Sequence, residues 1–408
     1  MDFNDTPEEA AFRAKARAWL EANAPRERAS GRGDAAHMAA AKAWQAKKAA
    51  AGYAQITWPK EWGGGGGNQM QSIIFGQEEG KYGLNYGYFA IGLGMCVPTV
   101  MAFADDETKK RVVGPAVRGE EIWCQLFSEP SGGSDVAAAR TRAVRAKSED
   151  GGDDWVINGQ KVWTSGAHYS DFGIVLVRTN VDKPKHKGMT MFWLDMKSPG
   201  IEVRPIHQMS GGRDFNEVYF TDVRVKDSQR LGPVDDGWRV SLVTLMNERL
   251  AVGGGAGIDY STIMQLAREL HTEKGPALAD QAFREKLADW YVQSEGLKNT
   301  RMRTMTALSR GQTPGPESSI GKIIAANQLQ DLANAAVEME DQYGIIDDGA
   351  ISPLGAAFQS AVLSSAGLRI AGGTDEILKN IIAERVLGLP GDIRVDKDVA
   401  FKDMPTGR

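Results

Sequence analysis

The spacing of apolar residues changes period twice along the chain, and that limits the folds open to it. Over the first ~120 residues apolar positions recur at helical spacing, as in Phe12, Ala16, Trp19 and Leu20. Thr6-Pro7-Glu8-Glu9 supplies a capping box with proline at the first helical position. Trp58 to Gly67 reads as a loop, followed by more helix to about Gly119. The middle of the chain reads as strands. Trp155 to Trp163 carries Asn158-Gly159 between apolar runs, which predicts a hairpin. Gly173–Arg178, Thr190–Asp195, Ile201–Arg204 and Glu217–Phe220 are strand-like, and their spacing predicts a small antiparallel sandwich or barrel. From Gly237 to about Leu387 the helical period returns. The chain is therefore expected to be mainly α with a central β domain. The expected spans are 1–121, 122–232 and 233–394, with a charged tail at 395–408.

Composition narrows the function classes. A chain of 408 residues is too long for one simple core. A net charge of −5 disfavours nucleic acid as a partner. Cys96 and Cys124 alone give no disulfide framework and point to a reducing compartment. The start of the chain lacks a signal-peptide core, and no apolar run is long enough to span a bilayer, so a cytoplasmic protein without an integral membrane segment is expected. The five histidines, at 37, 168, 186, 207 and 271, are scattered, so no metal is expected.

Three segments carry candidate chemistry. Trp123 to Asp135 collects small residues and hydroxyls at the helix-to-strand switch, where backbone N–H groups can approach a phosphate or a flavin edge. The same composition also suits an interdomain loop. Lys161-Val-Trp-Thr-Ser165 offers Trp163 to stack on a flat ring and Ser165 to hydrogen-bond it, or else a core tryptophan beside a satisfied serine. Glu248 lies in the apolar run Ser241 to Val252, where a carboxylate is costly to bury without a partner or a task. On a helix Ser241, Thr244, Leu245 and Val252 share its face.

Taken together, these segments resemble the acyl-CoA dehydrogenase family over nearly the whole chain. The resemblance is carried by Trp58-Pro-Lys-Glu-Trp-Gly-Gly64, Ser128-Glu-Pro-Ser-Gly-Gly-Ser-Asp135, Asn158-Gly-Gln-Lys-Val-Trp-Thr-Ser165, Phe215-Asn-Glu-Val218 and Gly372-Gly-Thr-Asp-Glu-Ile377. It implies a helix bundle, a β-barrel and a four-helix C-terminal bundle that bind FAD, as a homotetramer or heterotetramer. It places Gln125, Leu126, Ser128, Gly133, Ser134, Trp163, Thr164, Ser165, Thr374 and Glu376 at the cofactor, with Gln281 as a contact to a neighbouring subunit's FAD. Ser134, Arg249, Gly372 and Gly373 fall on the acyl-CoA side.

In many members of the family the catalytic base is a glutamate at the position of Gly372. In a minority it comes from a helical Glu-Arg-Leu motif, which Glu248-Arg249-Leu250 matches. The resemblance thus implies Glu248 as base, with the Gly372 N–H kept as a donor to the thioester oxygen. Asp375 and Glu376 are rival carboxylates. The implied reaction is α,β-dehydrogenation of an acyl-CoA to a trans-2-enoyl-CoA, with electrons passed to an electron-transferring flavoprotein. Two stretches depart from the family. Glu269 to Pro276 lacks the usual Arg-x-x-Phe-Gly, and Glu340 to Gly344 replaces a Gly-Gly segment. An oxidase on the same fold, or one subunit of a heterotetramer whose partner holds the flavin, are the alternative readings.

Overall fold

The computed structural model describes residues 5–25, 35–84, 86–147, 151–252, 258–272, 275–309, 315–394 and 396–404, the side chains of 249–252, 305, 308 and 309 excepted. The chain divides into two compact units. One comprises Met1–His207, Arg213–Glu248 and Arg394–Arg408, the other Gln208–Gly212 and Arg249–Ile393. The division falls inside a helix, directly after Glu248.

The first unit opens with α1 (Pro7–Asn23), α2 (Ala35–Ala50), α3 (Gln69–Gly80), α4 (Val97–Phe103) and α5 (Asp106–Val117). Thr6 caps α1 in the expected capping box with Glu9. Ala16 and Leu20 are fully buried with Trp44, Tyr53 and Phe75, and Phe12 and Trp19 pack on them. α4 is preceded by a π-helical turn, Gly92–Cys96. That wider turn lies against Trp123, and a Cβ on Gly92 would stand 3.2 Å from the Trp123 Cβ. π-Turns inside helices often mark functional sites.

The β part is one eight-stranded sheet. Its strands are β1 (Trp123–Leu126), β2 (Arg142–Lys147), β3 (Asp153–Lys161), β4 (Phe172–Arg178), β5 (Met189–Asp195), β6 (Ile201–Pro205), β7 (Asn216–Lys226) and β8 (Arg230–Leu231). The order is β6-β7-β3-β2-β4-β5-β8, with β1 added alongside β4. Inward residues of β1 to β5 and β7, among them Leu126, Ile157, Val175, Phe192, Val218 and Val225, meet in a single core. Most of the pairings are antiparallel as expected, but β1 runs parallel to β4, and so does β2 where it meets β4.

The Asn158-Gly159 pair is not a hairpin turn. It lies inside β3, where the register to β7 shifts between Ile157 and Gly159. Gly159 has φ +149°, and a Cβ there would come within 2.7 Å of the Thr141 Cα. Close backbone approach, rather than chain reversal, is what demands glycine here. Asn158 bonds the N–H and the carboxylate of Asp222 across the bulge.

Two further segments complete the unit. α6 (Gly237–Val252) begins here and packs on α4, where the Thr99 and Thr244 hydroxyls meet at 2.8 Å with both residues fully buried. Residues 396–404 are no loose tail. Phe401 lies on the Arg178 guanidinium at 3.9 Å, its N–H donates to the Lys183 carbonyl, and Asp396 pairs with Lys185 at 2.7 Å. One aromatic residue in a charged segment supplied the anchor.

The second unit holds α7 (Tyr260–Glu269), the short pair β9 (His271–Thr272) and β10 (Gly275–Pro276), α8 (Gln281–Ser309), α9 (Ser318–Met339), α10 (Ala357–Ile370) and α11 (Asp375–Arg385). α9 touches α7, α8, α10 and α11, making a helical bundle. Its core joins Ile263, Leu266, Phe283, Trp290, Leu332 and Phe358.

Candidate active site

Two segments of the first unit form adjoining walls. The first is the end of β1 and the turn after it. Leu126 is buried, while Gln125 and Ser128 are half-buried. Glu129 and Gly132 exchange backbone hydrogen bonds, closing a turn over Pro130-Ser131. Gly133 then passes over Ser128, and a Cβ on it would lie 3.6 Å from the Ser128 Oγ. Gly133 and Ser134 are exposed, so their backbone is open to a ligand. Asp135, next along, is bridged by Lys185 at 2.8 Å.

The second wall follows β3. Trp163 is 56% exposed and carries φ +58°, a left-handed conformation that a bulky residue adopts only where its surroundings impose it. Phe215 meets its ring edge-on at 5.9 Å. Thr164 is buried, and Ser165 is half-buried. Asn216, fully buried, grips Thr164 twice. Its carbonyl accepts the Thr164 N–H at 3.0 Å, and its side-chain amide donates to the Thr164 carbonyl at 2.9 Å.

The walls are joined directly. The Val162 N–H donates to the Ser128 carbonyl at 2.9 Å. Lys161, fully buried, donates to the Phe127 carbonyl at 3.0 Å and to Glu129 at 2.8 Å. Burial pushes the Glu129 carboxyl up, but the Lys161 ammonium and the N–H groups of Arg140 and Thr141 outweigh it and hold the group below its ordinary range. Burial lowers Lys161, and Glu129 offsets part of that.

Glu248 stands on α6 one turn after Thr244. It is half-buried, and its Oε2 accepts from the Gln125 Nε2 at 3.4 Å. Ser241 and Thr244 on the same face are fully buried, and Leu245 packs into the adjoining core. The Cys96 thiol of the π-helical turn is pushed up by burial, with Cys124 and the Glu248 charge adding to it. Burial likewise pushes Cys124 up to about 12. Both thiols are thus kept protonated and unreactive. The side chains of Arg249 and Leu250 lie outside the described residues.

The remaining candidates are in the second unit. Gly372 (φ +64°) and Gly373 (φ +95°) both adopt backbone that disfavours a side chain. The Gly373 carbonyl accepts from Lys322 at 2.7 Å. Thr374 caps α11. Asp375 is not a free carboxylate, because Arg369 holds it at 2.5 Å. Glu376 is exposed, and the helix N-terminus and Thr374 lower its carboxyl. Gln281 is exposed at the start of α8 and bonds Glu285 at 3.3 Å. Among the described residues no cluster of His, Cys, Asp and Glu is arranged to hold a metal, and no helix is long and apolar enough to cross a membrane.

Sequence reasoning passed over Lys161, Glu129 and Asn216. The available signals were a lysine on the inward face of β3, two residues before Trp163, and an asparagine opening β7.

The first unit suits a flat, polar ring system. The Gln125 Oε1 and the Thr164 Oγ1 are buried without a partner among the described residues, one on each wall. Buried polar atoms in folded proteins are nearly always bonded, so such a pair calls for a ligand with hydrogen-bonding groups on its edge. The exposed Trp163 ring adds an apolar face, and the open Gly133–Ser134 backbone adds donors. An isoalloxazine with a phosphate-bearing arm fits this set.

N-terminal helices, a β sheet with these walls and a helical bundle, in that order, are the features of a flavin-dependent oxidoreductase of the acyl-CoA dehydrogenase type. Residues 6–120, 124–223 and 235–387 match the N-terminal, middle and C-terminal domains of acyl-CoA dehydrogenases, and the chain belongs to that family of FAD-dependent enzymes. It is 35% identical over 395 residues to the acyl-CoA dehydrogenase IpdE1 of Mycobacterium tuberculosis, covering 94% of this chain and 98% of that one. It is 38% identical over 333 residues to acyl-CoA dehydrogenase FadE34 of the same organism, covering 82% of this chain but only 44% of FadE34. Among solved structures, the ChsE4–ChsE5 complex of Mycobacterium tuberculosis superposes with a TM-score of 0.76 at 26% identity, over 96% of this chain and 100% of the matched chain.

Proposed function

We propose that the chain dehydrogenates an acyl-CoA thioester to the trans-2-enoyl-CoA, with Glu248 as the base. The observation that carries this reading is the carboxylate of Glu248, half-buried on α6 beside Gln125, whose other amide atom is the unpartnered Oε1 of the first wall. The Glu248 oxygen takes the α-proton as the Cα–Cβ double bond forms. The bound flavin supplies the acceptor for the hydride leaving the β-carbon. A thioester α-proton is too weakly acidic for an ordinary carboxylate, so partial desolvation of the base and donors on the thioester oxygen are both required. Ser241, Thr244 and Leu245 limit water around Glu248 from its own helix. The Gly372 N–H is assigned to the thioester oxygen. A glutamate is absent at that position, and φ +64° would strain one. Asp375 is paired with Arg369 through its Oδ2, which weighs against it as the base.

Gln125, Leu126, Ser128, Trp163, Thr164 and Ser165 are assigned to the isoalloxazine. Gly133 and Ser134 are assigned to the phosphates, Ser134 also to the CoA arm, Thr374 and Glu376 to FAD contacts, and Gln281 to the FAD of a neighbouring subunit. Electrons leave to an electron-transferring flavoprotein. Exposed apolar side chains in the second unit, Tyr291, Val292, Ile370, Val386 and Leu387, support an oligomer, with a tetramer of one or two chain types expected.

The test is an anaerobic screen of straight, branched and sterol-derived acyl-CoA esters for bleaching of the bound flavin. Bleaching by at least one ester, with the enoyl product identified by mass, supports the reading. A fully flavinated protein that no ester reduces overturns it.

A further inference from the structure

We propose that Lys161 and Glu129 are positioning residues for FAD: their buried ion pair sets the spacing between the two walls assigned to the flavin. The inference rests on that assignment of the Gln125–Ser128 and Trp163–Ser165 segments, and not on the identity of the base or of the acyl substrate.

The pair joins the walls beside the backbone bond from Val162 to Ser128. Lys161 is 0% and Glu129 6% exposed. The Lys161 ammonium reaches across to the Phe127 carbonyl, between Leu126 and Ser128, at 3.0 Å, and to the Glu129 Oε1 at 2.8 Å. The second Glu129 oxygen accepts the Arg140 N–H at 2.6 Å, and the first also accepts the Thr141 N–H at 2.9 Å. The pair therefore ties the end of β3 to the turn after β1 and, through Glu129, to the residues leading into β2. Two residues further on, Trp163 takes its left-handed conformation and turns its ring outward.

Fold stability alone does not call for such a pair. Two charges lose several kcal/mol of hydration on burial, and apolar replacements of similar volume are often as stable or more so. Charged, directional hydrogen bonds do specify atomic positions that apolar packing leaves looser. The walls are where such precision matters. The unpartnered Gln125 Oε1 and Thr164 Oγ1 lie one on each wall, so a ring that bonds both is sensitive to the gap between them. Lys161 and Glu129 are buried and bonded to protein groups, which makes them supports and not catalytic residues.

The experiment compares wild type, Lys161→Met and Lys161→Met/Glu129→Gln. FAD is removed and added back, and its Kd, its visible absorption and circular dichroism, and the apoprotein Tm are measured. Lys161→Met leaves a buried carboxylate without its cation and should lower both Tm and FAD affinity. The double variant removes the stranded charge and should recover part of the apoprotein Tm, the glutamine amide accepting from only one of the Arg140 and Thr141 N–H groups. Its FAD affinity should stay down by about tenfold or more, the size expected for one lost charged hydrogen bond in the support, with a shifted flavin spectrum. Recovery of affinity and spectrum together with Tm would show a purely structural pair and overturn the proposal. Should either Met variant fail to fold, Lys161→Arg is read by the same titration. It keeps the charge and moves the donors, so weaker FAD and an altered spectrum support the proposal, and wild-type values refute it. Because no readout uses an acyl-CoA, failure of the dehydrogenase reading would show separately, in the acyl-CoA screen.

Discussion

Replacing Trp163 by alanine isolates the apolar part of cofactor binding. The side chain is 56% exposed, so about 140 Å² of a roughly 250 Å² tryptophan is open. A flat ring stacked on one face covers about half of that, and ~70 Å² at 25 cal/mol per Å² is about 1.8 kcal/mol. Aromatic stacking adds about 0.5–1.5 kcal/mol. The sum, roughly 2–3 kcal/mol, corresponds to FAD bound about 30- to 150-fold more weakly. Alanine keeps a Cβ at φ +58°, so the backbone strain is unchanged and the loss reports the ring. The edge contact with Phe215 also goes, which the apoprotein Tm controls for. The assay is titration of apoprotein with FAD, followed by absorption near ~450 nm, where the loss of a stacking face should alter the spectrum. Wild-type affinity with an unaltered spectrum would place the flavin elsewhere and dissolve the second wall.

Two further outcomes test the chemistry and the scaffold. Glu248→Gln keeps size and the Gln125 contact but cannot accept a proton. It should bind FAD and acyl-CoA normally and reduce the flavin at least ~10²-fold more slowly in stopped flow. Wild-type reduction would move the base to another group. Glu78 is buried and is held down to about 2 by Arg17, against burial, and by Lys81 and Arg13. A carboxyl lowered in the folded state contributes stability above its unfolded value and loses it as pH falls through the folded one. The Tm gap between wild type and Glu78→Gln should therefore be full at about pH 6 and narrow between roughly pH 4.5 and 2. A gap independent of pH would mean that the cluster is not ionic in solution.

The helical and strand segments were legible because their apolar periods are strong. Phe12, Ala16, Trp19 and Leu20 mark one face of α1, and β4 to β7 lie where their alternating or apolar runs place them. Asn158-Gly159 misled because a turn and a bulge ask the same of glycine. Only the neighbouring strand, with Thr141 close above Gly159, decides between them. The anchored 396–404 segment was hidden for a related reason. Its composition is that of a solvated tail, and the partner that holds it, Arg178, is more than two hundred residues away.

By itself the sequence determined the order of helical and β segments, the family and the residue types available for chemistry, because these depend on local pattern and on motifs with fixed spacing. The tertiary structure decided which polar groups are committed and which are left over. Asp375 and Glu248 are both carboxylates near glycine-rich or apolar runs, and although the Glu-Arg-Leu motif marks the second, nothing local shows what either one is paired with. Arg369 from the preceding helix neutralises the first, and Gln125 from a distant strand meets the second. Lys161 and Glu129 look like two ordinary surface charges until the sheet closes over them and leaves each the other's counter-ion. Burial and pairing are properties of long-range packing, so the charge state and the freedom of a side chain are fixed only once the chain has folded.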